Sequence, residues 1–261
     1  MKQVLTQEER LDFLIVYLLQ EQIKYKFNSI PETVEEKRQL FRSLMNIRPP
    51  VPIGSEYLKV QNEYLKERLI EKGITEKASL KSIQPGLYLW KGDITTLAVD
   101  AIVNAANRQM LGCFVPCHPC IDNAIHTYAG VQLRLECDRI MSEQQSEEPI
   151  GRAKITKAYN LPCRYVLHTV GPVIYRDVSE KDCILLSSCY HACLDLAVAY
   201  NLKSVAFCCI STGEFHFPNK LAAEIAIQTV KEYQEKNPDT IEVIFNVFKD
   251  IDYEIYNSLL Q

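Results

Sequence analysis

Apolar residues recur at helical spacing from the start of the chain. Thr6 and Glu9 form a T-x-x-E pair of the kind that caps a helix N-terminus. Behind them Leu11, Leu14, Ile15, Leu18 and Leu19 fall at i, i+3, i+4, i+7 and i+8, one apolar stripe. A second helix is expected from near Glu32 to Ile47, with Leu40, Phe41, Leu44 and Met45 inward and Pro49 and Pro50 stopping it. A third follows Ser55, presents Tyr57, Leu58, Tyr64, Leu65 and Leu69, and ends at Gly73. After Pro85 the period changes. Short apolar runs at Leu87–Trp90, Val99–Val103, Ala153–Ala158, Tyr165–Thr169, Ser204–Ile210 and Glu242–Val247 predict strands. Helical stretches are predicted at Asp122–Glu136, Lys181–Tyr200, Asn219–Gln234 and Tyr253–Leu260. Strands alternating with long helices mean a mixed or parallel sheet covered by helices on both faces. The division expected is a helical extension over 1–80 and an α/β domain over 81–261. Ligands in such sheets bind beyond the carboxyl ends of strands. The loops after Val103 and Ile210 therefore hold the candidate chemistry.

Composition narrows the function classes. The chain has 261 residues, 47% hydrophobic and 24% charged, with formal net charge −4. That balance is ordinary for a globular protein and gives no basic face for bulk nucleic acid. The longest apolar run, Phe13 to Leu19, is far below the roughly 20 residues of a spanning helix. The opening MKQVLTQEER lacks the pattern of an export signal. A cytoplasmic protein without membrane or nucleic-acid partners is expected, its ten cysteines reduced. Cys183, Cys189, Cys193, Cys208 and Cys209 lie in apolar stretches, where a thiol acts as a small hydrophobe. The first 80 residues hold no His, no Cys and no glycine-rich loop, which points to a packing role.

The loop after Val103 is different. Cys113, Cys117, His118 and Cys120 lie within eight positions. Thiolate with imidazole favours zinc over magnesium or calcium. The spacing is not that of a zinc finger, and no second pair with CxxC or HxxxH spacing exists elsewhere to complete one. Cys117 and His118 are adjacent, so their side chains tend to diverge. Cys113, His118 and Cys120 then form a three-ligand site with an open position, the catalytic arrangement; a fourth ligand at Cys117 would close it into a structural site. The P-C-x-x-C of Pro116–Cys120 also matches half of a nucleobase deaminase signature, but no His precedes His118 to supply the other half. The loop Ser211-Thr212-Gly213-Glu214-Phe215 joins a strand to a helix and suits a diphosphate by its backbone N–H groups and the helix N-terminus.

Together these segments resemble the macrodomain family. The matching runs are Gly92–Thr95, Val99–Asn107, Ile121–His126, Gly130 with Leu133–Cys137, His168–Pro172 and Ser211–Gly213. Where most macrodomains carry a glycine-rich run, this chain has Gly112–Cys120. With the helical extension, that insertion is similar to the zinc-dependent branch of microbial ADP-ribosyl hydrolases. The resemblance implies a three-layer α/β/α fold and an ADP-ribose cleft. It assigns Asp93 to the adenine amino group, Ile94 to that pocket, Asn107 to the distal ribose, and Asp122 to the scissile bond. Ser211, Thr212, Gly213, Glu214 and Phe215 fall on the diphosphate loop, with Phe215 beside the distal ribose and Phe248 near the adenine end. His126 is expected to bond nearby backbone, His168 to be structural, and His216 to approach the diphosphate or face solvent. The implied activity is zinc-dependent removal of mono-ADP-ribose from proteins, with Asn107 and Asp122 catalytic and a carboxylate ester as the linkage. The branch is encoded beside a sirtuin-like ADP-ribosyltransferase and a lipoylated carrier protein, which suggests a modified carrier as substrate. A reader that binds ADP-ribose without cleaving it, around a structural zinc, is the alternative.

Overall fold

A computed structural model describes residues 5–21, 30–238 and 240–261. The opening Met1–Val4 of the export-signal reading lies outside the described residues. Three helices come first: α1 (Gln7–Glu21), α2 (Val34–Ile47) and α3 (Ser55–Lys72). The Thr6/Glu9 pair forms as read, with Glu9 N donating to Thr6 Oγ1 and Thr6 N to Glu9 Oε2. Thr33 caps α2, one residue later than expected. Leu11, Leu14, Ile15 and Leu18 of α1 meet Phe41, Leu44 and Met45 of α2 and Tyr57, Tyr64 and Leu65 of α3 in a small core. Each such side chain stabilises by about 1.5–3 kcal/mol. Val131, from the α/β part, also belongs to this core, so the two parts share apolar surface.

Among the described residues nine strands follow in chain order, of which β1 and β4 pair as a separate two-stranded sheet: β1 (Thr75–Glu76), β2 (Ser82–Gln84), β3 (Leu87–Lys91), β4 (Leu97–Ala98), β5 (Ala101–Ala105), β6 (Ala153–Lys157), β7 (Tyr165–Thr169), β8 (Ser204–Phe207) and β9 (Glu242–Val247). Seven form the main sheet in the order β2-β3-β9-β8-β5-β7-β6. The five inner strands run parallel, while β2 and β6 are antiparallel edges. Helices α4 (Ile121–Ala129), α5 (Val131–Gln144), α6 (Glu180–Ala199), α7 (Asn219–Lys236) and α8 (Asp250–Leu260) cover both faces. This is the mixed-sheet, three-layer architecture expected. By length and composition α6 could cross a membrane. Its Leu186, Cys189, Tyr190, Cys193, Leu194 and Ala197 are instead buried in the core.

Several elements differ from the sequence reading: α8 begins at Asp250 rather than Tyr253, the short strands β1, β2 and β4 have no counterpart in it, and three further differences have a visible cause. The single helix over Asp122–Glu136 is two helices. Gly130 breaks it with φ +94, a backbone position strained for any residue with a Cβ. The freed carbonyl of Ala129 instead accepts from Asn160 Nδ2 at 2.8 Å. The strand read as Val99–Val103 begins at Ala101, because Asp100 turns the chain by accepting from Lys203 N and Ser204 N. The strand read to Ile210 ends at Phe207. Cys208 and Ile210 are still buried, and hydrophobicity reports burial rather than ladder pairing.

Candidate active site

Parallel strands bring their carboxyl ends to one rim. Asp93 follows β3, Phe248 follows β9, the Ser211 loop follows β8, Asn107 and the cysteine loop follow β5, and Gly171 follows β7. Residues far apart in sequence thus gather at one rim of the sheet.

The cysteine loop occupies the span between β5 and α4 with neither helix nor regular strand. The donor atoms of Cys113, His118 and Cys120 lie within 4.8 Å of one another. Nδ1 of His118 is buried and has no hydrogen-bond partner among the described residues. Its Nε2 lies 3.7 Å from Glu214 Oε1, so the Ser211 loop reaches across to this group. Cys120 also caps α4, accepting from Asn123 N at 3.4 Å. Burial, reinforced by the neighbouring Cys113, raises its thiol to about 12, while the Asn123 N–H opposes the rise. Cys117 points elsewhere. With φ +52 it turns its sulfur toward α2, 3.2 Å from Ser43 Oγ and 3.4 Å from Gln39 O. Adjacent side chains diverge here as the sequence suggested.

Beside this trio sits a buried carboxylate. Asp122 lies in the first turn of α4 and is 5% exposed. Asn104 Nδ2 donates to its Oδ1 at 2.8 Å and Asn107 Nδ2 to its Oδ2 at 3.2 Å. Burial nevertheless raises its pKa to about 6, against the lowering effect of Asn104, Arg134 and Asn107. Asn107 also donates to Gly112 O, and its Oδ1 accepts from Gln109 N and Met110 N. Its four hydrogen-bonding positions are filled, so a ribose contact must exchange for one of them. Gly112 has φ +81, and a Cβ there would stand 2.7 Å from the His126 ring. Only glycine lets the loop close over that ring.

The His126 reading is corrected. Both ring nitrogens are buried without partners, and Nε2 stands 3.6 Å from Asp122 Oδ1. Helical backbone is already paired within the helix and leaves the ring nothing to bond. His168 is structural as expected: Asn104 Nδ2 donates to Nδ1 at 3.1 Å, and Nε2 pairs with Thr156 Oγ1 at 2.9 Å. Burial holds it near 3, neutral under ordinary conditions. His126, Cys137 and His168 form a second group of donors within 4.8 Å, fully buried. Sequence reasoning missed it because β7 and two helices bring together positions 42 residues apart.

At the other end of the cleft, Asp93 accepts from Thr95 N and Thr95 Oγ1 on Oδ1, and from Lys72 Nζ on Oδ2 at 2.5 Å. One acceptor position of four remains open. Ile94 beside it is buried. Lys72, which also lies 3.7 Å over the Tyr128 ring, comes from α3 and carried no signal in the sequence. Gly92 N donates to Val247 O, which sets Phe248, 73% exposed, beside the Asp93 turn. In the Ser211 loop, Ile174 N donates to Phe215 O and Thr212 Oγ1 to Cys209 O. Ser211 has φ +65 and a buried hydroxyl without a partner. Gly213 and Glu214 are exposed, and so is His216. Helix α7 begins just beyond, at Asn219, and its N-cap residue Pro218 makes no side-chain cap to its first N–H groups.

The chain is similar to known proteins. The sequence pattern of the family described as Macro domain matches residues 103–226. A protein-ADP-ribose hydrolase of Treponema medium is 53% identical, covering 98% of this chain and 100% of its own length. A protein-ADP-ribose hydrolase of Staphylococcus aureus strain MSSA476 is 46% identical over 99% and 97%. The Trypanosoma brucei macrodomain in complex with ADP-ribose superposes with TM-score 0.66 at 27% identity, covering 88% of this chain and 97% of that one. Fold and full-length similarity agree, and the chain belongs to the macrodomain family.

Proposed function

We propose that the protein is a hydrolase that removes mono-ADP-ribose from modified proteins, with zinc held by Cys113, His118 and Cys120. The observation that carries this reading is one cluster: three soft donors at the N-terminus of the helix bearing a buried carboxylate, Asp122. The full-length similarity to proteins named protein-ADP-ribose hydrolase supports the same activity. The donor set suits zinc, since it has two thiols and an imidazole whose buried Nδ1 is otherwise unpartnered. Three protein ligands leave a fourth position open. When bound, zinc supplies Lewis-acid activation at the distal ribose.

The chain's own residues do the rest. Asn104 and Asn107 fix the two oxygens of Asp122, which orients the attacking water or takes its proton. Ser211, Thr212, Gly213, Glu214 and Phe215 bind the diphosphate and distal ribose, helped by the uncapped N-terminus of α7. Asp93 uses its open acceptor position for the adenine amino group, with Ile94 lining that pocket. Binding at both ends holds the scissile bond at Asp122, a proximity contribution. The linkage proposed is an ester to a carboxylate side chain, and the substrate a modified, lipoylated carrier protein. Residues 1–80 are read as an extension on a macrodomain at 81–261.

The test is release of ADP-ribose from a carboxylate-mono-ADP-ribosylated protein, before and after zinc stripping. Release that stops on stripping, returns with zinc, and does so with the circular dichroism spectrum unchanged is the expected result. Release that survives stripping would leave the chemistry to Asp122 and Asn107. Binding without any release would make the protein a reader.

A further inference from the structure

The three donors sit on a loop with no regular structure of its own, and Met110, Gly112 and Cys117 all have positive φ. Such a loop keeps one shape only if its surroundings impose it. The surroundings here are the N-terminal helices. Arg42 of α2 donates from Nε and Nη2 to Asn123 Oδ1 at 3.0 and 2.7 Å, and from Nη2 to the His118 carbonyl at 3.0 Å. Asn123 is wholly buried; its Nδ2 donates to Val115 O at 3.0 Å and its backbone N–H to Cys120 Sγ. One guanidinium therefore holds His118 directly and, through Asn123, both Val115 and Cys120.

Neighbouring residues of α2 complete the grip. Asn46 Oδ1 accepts from Cys117 N at 2.9 Å, and its Nδ2 donates to Thr127 Oγ1 of α4 at 3.0 Å. Ser43 and Gln39 receive the Cys117 sulfur, which leaves that thiol outside the donor group. Arg134 of α5 locks α2 in place from beneath. It donates to the carbonyls of Met45 and Arg48 at the end of α2 and to Leu111 O in the loop. A bare packing element needs no such set of charged and amide contacts to one loop.

The geometry points to Arg42 as a positioning residue for the metal site, so that helix α2 of the N-terminal extension is part of that site. This rests on the zinc reading above. By fixing the His118 peptide and Asn123, Arg42 presents the three donors together before the ion arrives, and the cost of ordering the loop is met at folding. Loss of such an outer contact typically weakens metal affinity 10–100-fold.

The experiment measures zinc affinity of the full chain by competition with a chromophoric chelator, for wild type, Arg42→Met, Arg42→Lys and Ser43→Ala. It also measures the melting temperature of each zinc-stripped protein. Expected are a 10–100-fold loss of affinity for Arg42→Met, a smaller loss for Arg42→Lys, which keeps the charge and some donors, and wild-type affinity for Ser43→Ala. Stripped Arg42→Met should melt within a few degrees of stripped wild type. Wild-type affinity in Arg42→Met overturns the inference. So does equal loss in Met and Lys variants accompanied by collapse of the stripped fold, which would make Arg42 a folding residue only. A wild type that holds no zinc overturns the zinc reading, and this inference with it.

Discussion

Two groups of His and Cys donors in this protein share a spacing and differ in burial and in how far their imidazoles are engaged. Cys113, His118 and Cys120 lie at the cleft, partly exposed, with His118 Nδ1 free of partners. His126, Cys137 and His168 are fully buried beneath it, and both nitrogens of His168 are already engaged by Asn104 and Thr156. Burial also drives the Cys137 thiol well above its ordinary value, which disfavours the thiolate a metal needs. Proximity of donors is thus a weak criterion. Access distinguishes the two groups: the first is partly exposed and the second buried, although both nitrogens of His126 are also without partners among the described residues.

Exchange of one sulfur in each group tests this contrast most strongly. Cys120→Ser is expected to abolish zinc retention and lower ADP-ribose release by at least 100-fold, read by metal analysis and a release assay. Cys137→Ala should keep both and lose only about 1–2 kcal/mol of stability from a small cavity. Zinc lost from the Cys137 variant would erase the distinction.

The carboxylate between the groups gives the next effect. Asp122→Asn should reduce turnover about 100-fold while zinc content stays constant. With Asp122 raised by burial, release that needs its carboxylate should rise with pH. The stability sign is opposite. Between about 4 and 6 the folded zinc-stripped protein holds a proton at Asp122 that the unfolded chain has lost. Stability therefore falls as pH rises through that window, by up to about 3 kcal/mol. Denaturant melts of the stripped protein at several pH values should show this slope, and Asp122→Asn should remove it.

Asp93→Ala should weaken ADP-ribose binding about 10-fold by calorimetry, the size of one charged hydrogen bond, without touching zinc. Unchanged affinity would remove the adenine assignment. The smallest effect is expected from Cys117→Ala. Its sulfur meets Ser43 and Gln39 rather than the other donors, so zinc and activity should match wild type. A fall in zinc equal to that of Cys120→Ser would make Cys117 a fourth ligand.

Much of the fold was legible because periodicity survives without context. The α1 stripe, the T-x-x-E cap and most strands lie where alternation and spacing put them. The Gly130 break was not, since helical residues flank it on both sides and the contacts that favour a stop, from Asn160 to Ala129 O and from Val131 N to Gln61, are distant in sequence. The donor loop was visible because its chemistry is local: three soft ligands fall within eight residues. Arg42 and Lys72 were invisible for the opposite reason. Each is an ordinary basic residue on a polar helix, distinguished only by what stands opposite it. His126 was misread because a helix position says nothing about the ring's neighbours.

Sequence alone determined the alternation of strands and helices, the rim on which chemistry must lie, and the residue types available to it. These follow from local propensity and patterning, which each short segment carries by itself. Tertiary structure alone decided which of two donor groups is open, why Cys117 is turned away, how Asp122 is buried, and that helix α2 grips the loop. Each depends on burial and on hydrogen-bond partners some 15 to 80 positions away, quantities that no local window of the chain contains.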